Sequence, residues 1–494
     1  MAKVMLVQPW NYHDEGVVTH RLEHEWRNGP YSLLLLASEL TRAGHEVRVC
    51  DMIRDLVVLR GNVELCLAEL SMSIEDFRPD IIGFGFFSIH YFEVKKAVEH
   101  ARRTCERIGI SPMFLAGGIH ASTEPEGTVR DLGFDYSFRG EGDIGLVQIA
   151  DGARPESVNG VYSPRKLQMA DCGSAKGDQP RALDDLPFPD WSLCDYKFYA
   201  APSWAKVKVR RISSLDMISG RGCVYKCAFC AYNALSSVRF HSAEYLVDQM
   251  EYMYKNFNVG GIYFTDSTIG NNRKLIGEFS ELMIRRGLAD KMEWYGNIRP
   301  NQVTEKELKL WWRAGCRYLF YGFESASQRV LDLMVKGCKV EANYKAAELH
   351  NRLKFPYHAS ILLGYPGERE EDIQLTLDFM RQTKAPSIGV NWYVPLPGSP
   401  DYDKLKAEGV IKTDDPMEWR RIGEVNSSRV YADVPENRFR ELFAEAERLA
   451  HSEIPQAAYP IWGCMAPPHS EIQLSEQEQS QGQQYSVSAQ LACL

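Results

Sequence analysis

The amino-acid sequence predicts an α/β fold: an N-terminal doubly wound parallel sheet, then a partial (βα)6 barrel, then a mainly helical C-terminal region. Short apolar runs alternate with helical patterns in two separate series, at residues 1–150 and 205–410. A turn-rich stretch at 151–204 lies between them and predicts a connecting segment. The length of 494 residues is enough for two or three domains.

The first series predicts five strands, at 4–7, 46–50, 80–86, 113–116 and 134–138, with helices at 31–43 and 92–107. Two glycine-rich turns follow the last two strands, Gly117-Gly118-Ile119-His120 and Arg139-Gly140-Glu141-Gly142. Ligands of a doubly wound sheet bind beyond the carboxyl ends of its strands, and glycine lets the backbone approach them closely. Both turns are therefore candidate ligand loops.

The second series predicts six strands, at 215–219, 261–265, 293–298, 318–323, 357–363 and 388–393. Helical patterns fill the gaps, for example at 243–256 and 305–313. Six βα units are fewer than the eight of a closed barrel, so an open barrel is predicted, with its reactive groups on the loops after the strands.

The C-terminal region, 411–466, contains a predicted helix at 437–451. The remaining residues, 467–494, are rich in Gln and Ser, a composition typical of disordered segments.

The composition limits the classes of function. The chain has 57 basic and 66 acidic residues, and a net charge of −9 argues against a nucleic-acid partner. No apolar run reaches the roughly 18 residues that a membrane span needs. The 12 cysteines form no regular disulfide framework. These features favour a cytoplasmic protein, in which thiols stay reduced.

Three cysteines are the strongest chemical signal: Cys223, Cys227 and Cys230 follow a C-x3-C-x2-C spacing on one loop after the first barrel strand. Cysteine thiolates hold iron–sulfur clusters, and a cubane cluster normally takes four. Three ligands would leave one iron open to a substrate or cofactor. A structural zinc site and chance clustering are the alternatives, although structural zinc sites close all four positions.

The cysteine loop, with Phe229 before its last cysteine, resembles the radical S-adenosylmethionine (SAM) superfamily. Similar motifs follow later strands in the expected order over about 213–406: Phe264-Thr265-Asp266-Ser267, Gly322-Phe323-Glu324-Ser325, Gly364-Tyr365-Pro366-Gly367-Glu368 and Leu396-Pro397-Gly398-Ser399-Pro400. Ser267 departs from the common F-x-D-D form, since it replaces the second acid.

The resemblance implies that the three cysteines hold a 4Fe–4S cluster and that SAM chelates its open iron. Cleavage of SAM by a cluster electron would then yield a 5′-deoxyadenosyl radical. The implied SAM-binding residues are Phe229, Ala231, Asp266, Asn297, Arg299, Glu324 and Ser325. Other roles stay open: Phe229 as a core residue, the Glu324–Ser325 segment as a helix cap, and Arg299 in a surface ion pair.

The N-terminal half resembles the cobalamin-binding domain that precedes many such barrels. This resemblance implies that cobalamin is bound by Gly117, Gly118, Ile119, His120, Gly140 and Glu141. Glycine turns on doubly wound sheets also bind nucleotides and flavins, so those ligands stay possible.

Together the two resemblances imply a cobalamin-dependent radical SAM enzyme, a C-methyltransferase acting on an unactivated carbon of a small biosynthetic intermediate. One alternative is an oxidative cyclase or rearrangement enzyme that uses the same cofactors. Another is a non-catalytic metal-binding or sensor protein. The implied partners are a small-molecule substrate and a low-potential electron donor such as a flavodoxin or ferredoxin.

Overall fold

The computed structural model describes residues 1–10, 29–163, 176–200, 213–234, 237–412, 418–419, 421 and 429–451. The predicted disordered tail at 467–494 and much of the predicted C-terminal region lie outside the described residues.

The N-terminal domain is built on a six-stranded sheet. Its strands are β1 (Lys3–Gln8), β2 (Glu46–Asp51), β3 (Ile81–Gly85), β4 (Met113–Gly117), β5 (Tyr136–Phe138) and β6 (Val161–Tyr162). Their order is β2-β1-β3-β4-β5-β6. The first five strands are parallel, whereas β6 pairs antiparallel with β5. The strand order reverses between β1 and β3, which is the switch point at which doubly wound sheets bind ligands.

Helices cover both faces of this sheet. They are α1 (Tyr31–Arg42), α2 (Met52–Val58), α3 (Val63–Phe77), α4 (Tyr91–Ile108), α5 (Gly118–Thr123), α6 (Pro125–Leu132) and α7 (Asp143–Ala150). Successive side chains of a strand point to opposite faces. Val4 therefore packs in one buried cluster with Leu33 of α1, while Met5 packs in another with Leu70 of α3. The doubly wound prediction is confirmed.

The second domain is an open parallel barrel. Six strands lie side by side in chain order: β7 (Ser214–Met217), β10 (Gly261–Phe264), β11 (Glu293–Ile298), β12 (Cys316–Glu324), β13 (Tyr357–Leu363) and β14 (Ser387–Trp392). A short antiparallel ribbon, β8 (Gly220–Arg221) and β9 (Arg239–Phe240), flanks the cysteine loop. The six strands and their parallel order confirm the predicted partial barrel.

Six helices pack against the strands in the main hydrophobic cluster of the barrel: α9 (Ala243–Phe257), α10 (Arg273–Arg285), α11 (Glu305–Arg313), α13 (Val340–Leu353), α14 (Glu370–Thr383) and the C-terminal α16 (Glu436–His451). Two shorter helices, α12 (Gln328–Leu333) and α15 (Pro400–Ala407), pack in separate small clusters. Side chains alternate between the outer and inner faces along β13. Tyr357 and Ile361 on the outer face are buried, whereas His358 and Ser360 on the inner face are only half-buried. The inner face of the barrel is therefore partly open.

The two domains share a hydrophobic core. Tyr31 and Leu34 of α1 pack in the barrel's main cluster with Trp191, which lies in the segment predicted to connect the domains. Helix α8 (Tyr196–Ala200) follows, and Tyr199 donates a hydrogen bond across to Asp51 at the end of β2, at 2.6 Å. The carboxyl edge of the first sheet is thus fixed against the barrel.

Within the described residues, no helix combines the length and the apolar character that a membrane crossing requires.

Candidate active site

The cysteine loop leaves the barrel after β8 and is held from several directions. The amide of Ala228 donates to the carbonyl of Met334 at 2.9 Å, and the amide of Asp401 donates to the carbonyl of Ala228 at 3.1 Å. The amide of Cys230 donates to the carbonyl of Cys227 at 3.2 Å, which closes a tight turn between the two thiols. Cys227 is buried, whereas Cys223 and Cys230 are partly exposed.

The three thiols are unpaired, since none forms a disulfide. Burial raises the pKa of Cys230, and the neighbouring Cys227 and Cys223 add to that rise. Three free thiols on one loop are the donor type that holds iron–sulfur clusters. The type and number of these donors fit the cluster that the resemblance implies.

Arg299 lies against this loop. Its Nη1 donates to Sγ of Cys227 at 3.3 Å, and its Nη2 donates to the carbonyl oxygen of Lys336. The guanidinium also stacks on the ring of Tyr225, 3.7 Å from the ring centre. Arg299 is buried. The structure thus places this residue, predicted to bind SAM, beside Cys227, a predicted cluster ligand.

Two other predicted SAM residues brace the loop. Both carboxylate oxygens of Asp266 accept the amide of Ser219, at 3.0 and 2.8 Å, and the Ser219 hydroxyl also donates to Asp266. Burial raises the pKa of Asp266 to about 6. Asn297 donates to the Asp266 carbonyl at 2.8 Å and accepts from Tyr263 at 3.0 Å. These contacts fix the backbone just before the cysteines.

Glu324 forms a buried ion pair at the end of β12. Nζ of Lys336 lies 2.7 Å from its Oε1, and the two side chains are 5% and 12% exposed. Glu324 has a φ of 64°, a left-handed conformation that side chains rarely adopt. A Cβ on Gly322 would lie 2.5 Å from Glu324 Oε1 and 3.1 Å from Lys336 Nζ. A larger residue at position 322 would therefore displace the Glu324 carboxylate from its place beside Lys336.

Ser325 points away from this pair. It is fully buried, and its hydroxyl lies 3.2 Å from that of Thr376 and accepts the amide of Ser327 at 3.1 Å. Ser327, rather than the Glu324–Ser325 segment, caps α12 by accepting the amide of Val330. Phe229 packs with Tyr365 and Tyr393, while Ala231 is buried nearby.

The predicted cobalamin turns both lie at carboxyl ends of strands. Gly117 ends β4, and Gly118 and Ile119 begin α5, with Gly118 exposed and Ile119 half-buried. Gly118 has a φ of 92°, and a Cβ on it would lie 2.6 Å from the carbonyl oxygen of Phe86. Gly140 donates its amide to the Ser122 hydroxyl at 3.0 Å. The exposed glycine backbone leaves space for a bulky cofactor at this edge.

His120 is fully buried in an aromatic cluster. Its ring centre lies 5.4 Å from that of Phe86, 5.7 Å from Tyr91 and 5.0 Å from Trp419 of the C-terminal region. Nδ1 is 2.9 Å from the Ser88 hydroxyl, and Nε2 has no hydrogen-bond partner among the described residues. Burial lowers the pKa of His120 to about 3.

Glu141 makes ion pairs across the domain boundary. Its two oxygens accept from Arg221 and Arg239, and Gln179 adds a hydrogen bond at 3.1 Å. Arg221 directly precedes Gly222 and Cys223 of the cysteine loop. A glycine turn of the first sheet is thereby connected to the candidate cluster site.

Comparison with known families agrees with both halves of this arrangement. The sequence profile of the Radical SAM superfamily matches residues 217–380, and that of the B12 binding domain matches residues 25–150. This chain carries a B12-binding domain followed by a radical SAM domain. It is an enzyme whose cofactors are a 4Fe–4S cluster, SAM and cobalamin, and like other radical SAM enzymes it needs a reductant.

Two curated relatives match most of the chain. An uncharacterized methyltransferase of Pyrococcus horikoshii is 25% identical over 407 residues, 80% of this chain and 82% of that protein. The anaerobic magnesium-protoporphyrin IX monomethyl ester cyclase of Cereibacter sphaeroides is 24% identical over 418 residues, 82% of this chain and 64% of the cyclase.

A solved structure shares the fold. The radical S-adenosylmethionine methyltransferase TsrM of Kitasatospora setae, solved with cobalamin and a 4Fe–4S cluster, superposes with a TM-score of 0.63 at 19% identity. The superposition covers 83% of this chain and 78% of TsrM. The order of a doubly wound domain followed by an open barrel is therefore common to both.

Sequence reasoning missed three residues at the site: Lys336, Arg221 and Asp401. Nothing in the local sequence marks Lys336, because its partner Glu324 lies on another element. Arg221 directly precedes Gly222, the first residue of the cysteine loop, and this position could have identified it as a site residue. Asp401 directly follows the Leu396–Pro400 motif, and it accepts from the Tyr365 hydroxyl at 2.7 Å beside Phe229.

Proposed function

We propose that this enzyme transfers a methyl group to an unactivated carbon of a small biosynthetic intermediate. One observation supports this most strongly: contacts from Glu141 to Arg221 join the carboxyl edge of the B12-binding sheet to the cysteine loop. A methyl donor and a radical source are thereby brought to one open barrel. When bound, the cofactors supply the radical that removes a hydrogen atom from the substrate and the methyl group that takes its place.

The chain's own residues bind the cofactors and hold them in position. We assign Cys223, Cys227 and Cys230 to the cluster and the pair of Glu324 and Lys336 to SAM. An ammonium and a carboxylate side by side match a ligand that carries both charges in its amino-acid portion. The 2.7 Å pair fixes both groups before SAM arrives, so little side-chain entropy is lost on binding.

The half-buried inner face of the barrel is the proposed substrate space. Tyr263 and Phe320 meet edge to face there, with ring centres 5.4 Å apart, and His358 lies 5.7 Å from Phe320. A mainly aromatic wall with a few polar groups is typical of small-molecule sites and keeps water from a reactive radical. Net acidity and this aromatic wall favour a small molecule over a nucleic acid.

Oxidative cyclisation is the second candidate, and the 24% identity to the ester cyclase favours it over a non-catalytic metal-binding role. Methylation adds one methylene unit to the substrate and produces S-adenosylhomocysteine together with 5′-deoxyadenosine. Cyclisation removes two hydrogens and produces no S-adenosylhomocysteine.

The test uses anaerobically reconstituted protein, SAM carrying a deuterated methyl group, and extract of a strain lacking the gene as the source of substrate. We expect both adenosyl products and one extract component that gains a deuterated methyl group. 5′-Deoxyadenosine with a component that loses two hydrogens would establish the cyclase instead. A triple Cys→Ala variant at 223, 227 and 230 is the control and should produce no 5′-deoxyadenosine.

We further propose that a flavodoxin or ferredoxin supplies the electron and that the protein works in the cytoplasm. Free thiols at the described cysteines agree with a reducing compartment. Reduction of the reconstituted cluster by each purified donor, followed by absorbance, tests the first point.

A further inference from the structure

Two acids of the B12-binding domain and two arginines of the barrel form one buried cluster. We call this cluster, Glu141, Asp143, Arg221 and Arg239, the interdomain clasp. Asp143 accepts two hydrogen bonds from Arg221, at 2.6 and 2.9 Å, and Glu141 accepts from both arginines. The four side chains are between 4% and 19% exposed.

The charges of the clasp balance, and its geometry is favourable. Two carboxylates meet two guanidiniums, so no charge is left unpaired, and Arg221 binds Asp143 through both arms of its fork. Arg221 and Arg239 are paired residues on the ribbon of β8 and β9, which holds them side by side. Breaking a buried pair of this kind leaves an uncompensated charge in the interior, so the contact resists separation.

The clasp lies between the cysteine loop and the two predicted cobalamin turns, and hydrogen bonds connect it to both turns. Glu141 follows Gly140, whose amide donates to the Ser122 hydroxyl at 3.0 Å. That hydroxyl donates in turn to the carbonyl of Gly118 at 2.8 Å. At the other end, Arg221 is followed by Gly222 and the first cluster cysteine. The path therefore runs from the cysteine loop to the exposed glycine backbone of the first domain.

We infer that Arg221 is a positioning residue that holds the Gly140 and Gly118 turns in their cobalamin-binding arrangement from across the domain boundary. Glu141 then acts through the clasp rather than on the cofactor itself. The inference depends on the B12-binding domain, and it holds for methylation and for cyclisation alike.

The test measures cobalamin affinity rather than turnover. Cluster-reconstituted protein is titrated anaerobically with hydroxocobalamin, and the Kd is read from the absorbance change. We expect Arg221→Met to raise the Kd about tenfold, which is less than the direct loss of a buried charge contact with the ligand would cause, because Arg221 acts on the cofactor through Glu141. Arg221→Lys keeps the charge but loses the fork, so a smaller rise of about threefold is expected.

The matched control is Arg317→Met. Arg317 is also largely buried, lies 3.6 Å from the buried Glu293, and stacks on Trp312 within the barrel. The Arg317→Met substitution should lower the melting temperature and leave the Kd for cobalamin unchanged. A double variant, Arg221→Met with Asp143→Asn, should bind cobalamin no more weakly than Arg221→Met alone, because both substitutions remove the same contact between Arg221 and Asp143.

Three results would overturn the inference. The first is a Kd within twofold of the native value in both Arg221 variants while their circular dichroism stays native. The second is a rise in Arg317→Met equal to that in Arg221→Met, which would indicate general destabilisation. The third is additive losses in the double variant. If Arg221→Met does not fold, Arg221→Lys replaces it in both comparisons. A Kd of Arg221→Lys that is within twofold of the native value, or equal to that of Arg317→Met, then overturns the inference.

Discussion

Nη1 of Arg299 donates a hydrogen bond to Sγ of Cys227, and its guanidinium plane rests on Tyr225. The hydrogen bond brings a permanent positive charge 3.3 Å from a sulfur assigned to the cluster. Hydrogen bonds to the sulfurs and local charge are two of the factors that set the potential of an iron–sulfur cluster. Arg299 is therefore a candidate for tuning the ease with which this cluster accepts its electron.

The first prediction concerns that potential. Arg299→Met should make the cluster harder to reduce, by tens of millivolts, because a cation and a sulfur hydrogen bond are lost together. A redox titration followed by electron paramagnetic resonance measures the change. Arg299→Lys is the control and should fall between the native protein and Arg299→Met. An unchanged potential in Arg299→Met would contradict this role.

The second prediction concerns Lys336 and Glu324. Lys336→Met leaves the Glu324 carboxylate buried without its partner, which should cost about 3 kcal/mol of stability and weaken SAM binding. Adding Glu324→Gln removes the unpaired charge and should restore much of the melting temperature without restoring the affinity for SAM. Thermal unfolding and equilibrium dialysis with labelled SAM measure the two effects. Recovery of both together would assign the pair to stability alone.

The third prediction concerns Glu368, a fully buried acid after β13. Its Oε2 accepts the amides of Gly364 and Tyr365, at 2.6 and 3.3 Å, and burial raises its pKa from 4.5 to about 8. The folded protein holds this proton more tightly than the unfolded chain does. The resulting stability is complete below pH 4.5 and is lost as the pH rises to 8.

Glu368→Gln removes that titration. The melting temperature of the native protein should therefore fall relative to that of the variant between pH 6.5 and 8.5. Glu371→Gln, at an exposed position of α14, is the control and should follow the native protein. Parallel curves for the native protein and Glu368→Gln would show that Glu368 is ionised in the fold at neutral pH.

The fourth prediction concerns His120, whose pKa burial lowers to about 3 from 6.5. The unfolded chain takes up a proton on this histidine at a higher pH than the folded one. The stability that His120 provides is thus complete above pH 6.5 and is lost as the pH falls toward 3. The melting-temperature advantage of the native protein over His120→Gln should shrink from pH 7 to pH 5. A constant difference would mean that His120 is not buried in its neutral form.

The sequence predicted the fold closely where patterns are local. The strand bounds at 293–298 and 357–363 agree with the structure, because long apolar or alternating runs determine them. Strand β6 and helix α3 were not predicted. Strand β6 has two residues and depends on pairing with β5, and the paired partner of a short strand cannot be read from its own sequence.

The sequence predicted where the site residues lie in the fold better than it predicted which residues they contact. The cysteines and the strand-end motifs lie where the resemblance placed them. The contacts of Ser325, His120 and Glu141 are made with residues far away in sequence, such as Arg221, 80 positions from Glu141. A motif can identify a strand end, but burial depends on which distant side chain packs there. The individual SAM and cobalamin assignments therefore stay predictions.

The loop that carries the three cysteines is fastened by Met334, Asp401 and Asp266, all through bonds between protein groups. None of these hydrogen bonds involves iron. A protein that has lost its cluster to oxygen should therefore keep the loop in shape, and iron and sulfide can be supplied again without passing through the unfolded chain. Reconstitution of the cluster should therefore succeed on folded protein, without a denaturation step.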